Sequence, residues 1–152
     1  FGLMKKGKVV AGGSPSEAAL EAAPETQVGI ITASAWSWDI DTPASKAFAK
    51  AYWEEFKAVP PAQGAQAYLG AMMLFSAIEK AGSTKVERIA EALKGSTYDG
   101  PYGVVRISPK DNSMRTPAVL TETQLAPPNP FGAKIIKKVL VHLKPEEIGP
   151  AE

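Results

Sequence analysis

Residues 8–34 read KVVAGGSPSEAALEAAPETQVGIITAS, and this stretch decides the fold class. Lys8-Val9-Val10-Ala11-Gly12 is a short apolar run ended by glycine, which predicts a buried strand. Ser14-Pro15-Ser16-Glu17 then reads as a helix start, with Ser14 as N-cap, Pro15 at the first helical position and Glu17 at the third. From Gln27 to Ser34, Val28, Ile30, Ile31 and Thr32 predict a second strand. Strand, glycine turn, helix and strand form the unit from which parallel sheets are built, because parallel neighbours need a crossover between them.

Upstream, Phe1 to Lys6 reads as the last turn of a helix closed by Gly7, its lysines suiting the negative helix end. Downstream, the second strand runs into Ala35-Trp36-Ser37-Trp38-Asp39, which puts two tryptophans at a strand exit. Thr42-Pro43 caps a helix in which Ala44, Phe48, Ala49, Tyr52 and Phe56 recur at helical spacing until Pro60-Pro61 stops it. Gln63 to Ala81 is apolar nearly all round and is expected to be buried on most of its circumference, with Gly82 ending it. Thr84-x-x-Glu87 reads as a capping box opening a shorter helix closed by Gly95. Beyond Tyr98-Asp99-Gly100-Pro101 the period becomes that of strands, at 103–107 and 118–125, expected as a hairpin or paired excursion around the turn at 109–112. Residues 126–130 form a loop, 135–141 a last strand or short helix, and 145–152 a tail. Strands alternating with capped helices give an α/β fold with a mostly parallel sheet.

A chain of 152 residues with 45% hydrophobic and 22% charged content holds one ordinary core. Seventeen basic against sixteen acidic side chains, with no long charge block, argue against nucleic acid or an anionic membrane as partner. With no cysteine and one histidine, thiolate sites, disulfides and multi-histidine zinc centres are excluded, and no metal or cofactor is expected. No run approaches the ~18 apolar residues of a membrane span. The beginning at Phe1, without an initiator methionine or signal peptide, is expected of a mature product or of a fragment.

Catalytic motifs fail on inspection. Gly2-x-x-x-x-Gly7-Lys8 imitates a phosphate-binding loop, but Val9 stands where a hydroxyl should hold magnesium. Gly12-Gly13-Ser14-Pro15-Ser16 approaches a nucleophile elbow, yet the closing glycine is missing and Pro15 removes the N–H an oxyanion hole needs. His142 sits among Leu140, Val141 and Leu143 and reads as a structural or surface histidine. Asp39 and Asp41 read as turn formers and caps. Ligands of open α/β sheets bind beyond the carboxyl ends of strands, where helix N-termini offer free N–H groups. Gly13-Ser14 and Trp36 to Trp38 occupy such positions.

The order of elements is itself informative. Thr42-Pro43-x-x-x-x-Phe48-x-x-x-Tyr52, Pro60-Pro61, Ala67-Tyr68 and Ala77-Ile78-Glu79-Lys80-Ala81-Gly82-Ser83 are followed by Ile89-x-x-Ala92-Leu93-Lys94-Gly95, Tyr98-Asp99-Gly100-Pro101-Tyr102-Gly103 and the Asp111-Asn112 turn. This series resembles the C-terminal half of type I periplasmic solute-binding proteins of ABC importers, the branched-chain amino-acid or leucine-binding type.

The resemblance implies a bilobed α/β protein whose parallel-sheet lobes, flanked by helices, close on a small solute without catalysing a reaction. It divides the chain into 1–35 in the second lobe, 36–40 as a hinge crossing, 41–107 in the first lobe, 108–115 as another crossing, 116–143 back in the second lobe, and a tail at 144–152. It implies that Gly13 and Ser14, with Glu17 beside them, supply second-lobe contacts. Gln63 and Gln66 would reach the cleft, and Trp36 and Trp38 would cover a ligand at the hinge. The implied solute is an amino acid, aromatic acid or amide-like metabolite. The implied partners are ABC permease subunits and a missing N-terminal half, and the implied place is the periplasm. A ligand-sensing regulatory domain of the same fold, or a small α/β enzyme, are the rival readings. A piece of this kind is expected to expose the apolar faces of 63–81 and 84–93 and to associate through them.

Overall fold

Strand register sorts the chain into two sheets. In the computed structural model, which describes Gly7, residues 9–11 and residues 13–148, β1 (Val9–Ala11) lies parallel to β2 (Ile30–Ser34), with Val9 opposite Ile30 and Ala11 opposite Thr32. The crossover between them holds α1 (Glu17–Ala22) and the single turn α2 (Pro24–Gln27). The expected helical turn at Phe1 to Lys6 lies outside the described residues. Further along the chain come α3 (Pro43–Phe56), α4 (Ala62–Ala81), α5 (Val86–Leu93), β3 (Thr97–Gly100), β4 (Gly103–Ile107), β5 (Met114–Arg115), β6 (Ala118–Leu125), β7 (Ile135–Leu143) and α6 (Pro145–Ile148). The larger sheet has the order β1-β2-β6-β7, and the smaller one β3-β4-β5.

The α/β class holds, but among the described pairs only β1 with β2 is parallel. The cause is the return of the chain after α3–α5: β6 enters antiparallel to β2 and folds back on itself as β7. Asn129 builds the loop that allows this. Its side-chain oxygen accepts from the backbone N–H groups of Phe131 and Ala133, while its amide donates to the carbonyls of Pro127 and Ala133.

The expected hairpin between 103–107 and 118–125 does not form. β4 pairs with β3 and β5, while β6 belongs to the larger sheet. Pro101 and Tyr102 close a two-residue turn between Gly100 and Gly103, the latter at φ 94°, and so short a loop costs less closure entropy than one through residues 108–117. Gly100 is also needed for close approach, since a Cβ there would lie 2.9 Å from the Tyr98 ring.

Helix ends follow local hydrogen bonding. The Thr42 hydroxyl accepts from the Ser45 N–H and Pro43 takes the first helical position, as the sequence predicts. That helix ends at Phe56, ahead of Pro60-Pro61, because Lys57 turns left-handed at φ 50° and donates its N–H to the Trp53 carbonyl. The cap of α1 is Ser16 rather than Ser14, its hydroxyl accepting from the Ala19 N–H. The capping box at Thr84 is not made either. The Ser83 hydroxyl turns the chain by accepting from the Lys85 N–H, and α5 begins at Val86.

The core joins the two sheets. Trp36, Ile40, Phe48, Ala49, Leu69, Tyr102, Val105 and Val119 form one buried cluster drawn from the β2 exit, α3, α4, the β3–β4 hairpin and β6. Contrary to the expected all-round burial, α4 buries a single line, Ala65, Leu69, Met73 and Ala77, at the four-residue spacing of one helix face. Tyr68, Leu74 and Phe75 are exposed, as is Val86 on α5. The described residues supply packing for one side of α4 only.

Candidate functional site

The turn after β1 faces the start of α4. Ala62, Gln63 and Gly64 open a 20-residue helix whose N-cap, Pro61, has no side chain able to bond the free N–H groups. That role falls to Glu17, 45 residues away, whose Oε2 accepts from the Ala62 N–H at 3.1 Å. Its Oε1 lies 2.7 Å from the Lys137 ammonium, and Lys137 also donates to the Ser14 hydroxyl at 3.0 Å. Both ions are buried, with side chains 7% and 2% exposed. A carboxylate at a helix N-terminus and against an ammonium is stabilised by the helix dipole and by its counter-ion together.

Two further bonds fix this cluster. The Ser37 hydroxyl donates to the Lys137 carbonyl at 2.7 Å, tying β7 to the β2 exit. The Tyr102 hydroxyl donates to the Ala62 carbonyl at 3.3 Å, tying the β3–β4 turn to α4. Burial first, and then the negative charge of Glu17, push the Tyr102 phenol up to about 12.

The residues singled out from the sequence divide. Ser14 is in the cluster and half-buried, while Gly13 beside it is exposed, with no atom of the described residues beyond its chain neighbours within 4 Å of the place where a Cβ would stand. Gln63 and Gln66 lie exposed on the first turns of α4, next to the tethered Ala62. Trp36 lies in the core rather than on an open surface. It is fully buried, its indole N–H donating to the Ser45 hydroxyl at 2.9 Å and its ring edge-on to Phe48 at 5.4 Å. The serine of α3 satisfies the one polar atom of the indole, which removes the obstacle to burying it whole. Trp38 is half-buried. Its ring meets Phe131 of the β6–β7 loop at 5.4 Å, and Phe131 meets Trp53 of α3 at 6.1 Å, so the trio joins the two parts of the molecule. His142 is exposed on β7, opposite Val119.

Sequence reasoning missed Lys137. The signal was present in Ile135-Ile136-Lys137-Lys138-Val139, because successive strand residues face opposite sides and one of two adjacent lysines in an apolar strand must point inward. Lys138 is the outward one, paired with Asp39 at 3.1 Å.

A second concavity, of about 470 Å³, opens where α3, α4 and the β3–β4 turn meet, and is walled by Phe48, Tyr52, Phe56, Tyr68 and Tyr98. Among the described residues there is no group of three or more acidic, histidine or cysteine side chains placed to hold a metal ion, and no helix long and apolar enough to cross a membrane.

Comparison with known proteins bears on this arrangement. The chain superposes on the solute binding protein of an ABC transporter from Rhodopseudomonas palustris BisB5, solved with 3,4-dihydroxybenzoic acid, with a TM-score of 0.82 at 22% identity, over 94% of this chain and 39% of that one. A counterpart from R. palustris HaA2, solved with p-hydroxybenzoic acid, gives 0.79 at 26% identity over 94% and 39%. A leucine binding protein from Thermotoga maritima MSB8 gives 0.73 at 23% identity over 93% and 39%. This chain therefore spans about 39% of the length of each of these three. Comparison with curated protein sequences gives no match. The sequence profile of periplasmic binding proteins matches residues 1–127, and with so much of its length accounted for, the chain belongs to the periplasmic binding protein family.

Proposed function

We propose that this chain contributes to the solute-binding component of an ABC importer, working outside the cytoplasm and handing a small solute to permease subunits without transforming it. The observation that carries this reading is the facing of the β1–α1 turn and the α4 N-terminus, held together through Glu17. In this reading β1, β2, β6 and β7, from residues 1–35 and 116–143, belong to the second lobe. Residues 41–107 belong to the first lobe, 36–40 and 108–115 cross the hinge, and 144–152 are a tail. Gly13, Ser14, Gln63, Gln66 and Trp38 line the cleft. Closure of the lobes is favoured only as far as the solute binds the closed form better.

The solute class that fits best is a small aromatic carboxylate, the kind of molecule with which two of the structural relatives were solved. Trp38 offers an aromatic wall, and the open space at Gly13 admits a ligand close to the backbone. The rest of a longer chain would supply the other half of the site and cover the exposed face of α4, including Tyr68, Leu74 and Phe75, and the aromatic concavity beside it.

Thermal-shift titration of the intact protein with 4-hydroxybenzoate, 3,4-dihydroxybenzoate and branched-chain amino acids tests the reading. A micromolar ligand at a thousandfold excess stabilises by about 4 kcal/mol. Gly13→Val should abolish that response with little loss of stability, since the added side chain enters open space. Absence of a shift with every compound, or an unchanged affinity in the variant, would overturn it.

A further inference from the structure

A third concavity, of about 720 Å³, lies between the outer face of the β3–β4–β5 sheet and the end of β7 with α6. Its sheet wall is one cross-strand row. Thr97 stands opposite Arg106, and Arg106 opposite Arg115, in register across three strands. Val104 and Arg106 line the concavity while Val105 between them is buried in the core, so the row lies on the face turned away from it. The facing wall carries His142, Lys144 and Glu146.

Two arginines, a lysine and one carboxylate therefore line a space of ordinary ligand size. Two arginines directly opposite in a ladder repel each other. Asp111, 3.6 Å from Arg115, offsets part of this, its carboxyl held at about 2 mainly by hydrogen bonds from Ser113. The Arg115 side chain is only 24% exposed, and its Nε is shut off from solvent without a hydrogen-bond acceptor among the described residues. Like charges placed side by side on the wall of a concavity favour an acceptor with several oxygens, which the outer N–H groups of guanidinium grip through paired bonds.

We propose that this concavity is an oxyanion site, separate from the solute cleft, for a small organic dianion bearing a phosphate or two carboxylates. Arg106 and Arg115 hold the charged group, Thr97 adds a hydroxyl, and Lys144 closes the opposite side. The chemistry is shared by phosphate esters and dicarboxylates, and two probes separate them. The site does not depend on the transport reading, because none of its residues lines the proposed cleft.

The intact protein is titrated calorimetrically with inorganic phosphate and with succinate, at constant ionic strength set by chloride. Binding of either probe supports the site and names its class. Arg115→Gln and, separately, Lys144→Gln should each weaken that binding at least tenfold while leaving the thermal response to aromatic carboxylates as it was. Lys50→Gln, on the solvent side of α3, should leave it unchanged. No binding of either probe beyond the chloride control overturns the proposal, as does unchanged affinity in both pocket variants. Equal weakening by Lys50→Gln would reduce the effect to general charge and also overturn it. Should Arg115→Gln fold poorly, Lys144→Gln decides alone, since Lys144 is exposed at the rim.

Discussion

Replacing Glu17 by glutamine keeps the shape of the side chain and an oxygen for the Ala62 N–H, but removes the charge facing Lys137. At the observed 2.7 Å separation the gross attraction is about 6 kcal/mol for an effective dielectric of 20. Most of it offsets the desolvation of two buried ions, so the pair contributes little net stability compared with apolar residues. The single substitution is different, because it leaves an ammonium in the interior with, among the described residues, the Ser14 hydroxyl as its remaining side-chain partner. Loss of one partner of a buried pair costs about 3–5 kcal/mol, and we expect Glu17→Gln near the lower end, about 3, since the helix N–H stays satisfied. Lys137→Met should cost less, about 2 kcal/mol, because Glu17 keeps the α4 N-terminus and its dipole. The double variant should lose clearly less than the sum of the two single losses, with a coupling of at least ~2 kcal/mol in a double-mutant cycle. Urea denaturation of the intact protein, with the four members compared at one pH, measures this. Additive losses, or a Glu17→Gln variant within ~0.5 kcal/mol of the parent, would refute the claim that this pair ties α1 and β7 to α4.

Trp36→Phe should cost about 2 kcal/mol in the same assay, from the lost bulk and from a Ser45 hydroxyl left without its indole donor, and should leave solute affinity intact because the ring is sealed in the core. Tyr102 gives a pH signature: its folded-state value near 12 lies above the ordinary value of 10, so the neutral phenol is the form the fold favours. Its contribution is complete below about pH 10 and fades as pH rises toward 12, since the unfolded chain sheds the proton first. Stability measured from pH 9 to 12 should fall more steeply in the parent than in Tyr102→Phe, and parallel profiles would count against it.

The sequence by itself determined the local elements whose causes are local. The β1–α1–β2 unit, the Thr42-Pro43 start of α3, the end of α4 at Gly82 and the strand at 103–107 all depend on residues within a few positions of one another, whereas β3 at Thr97–Gly100 was not foreseen. The order of those elements was enough to suggest the family that the profile match establishes. Tertiary structure alone decided which strands meet. The pairing of β6 with β2 rather than β4 depends on contacts some 90 residues apart, for which hydrophobic alternation carries no address. The same limit governed the site. Ser14 looked like a helix cap until Lys137, 123 residues away, claimed its hydroxyl, and the burial of Trp36 in the core shows only with Ser45, which satisfies its indole. Glu17 was legible as a first-turn acid, but that the helix end it caps is that of α4, across the fold, follows only from how the two helices are packed.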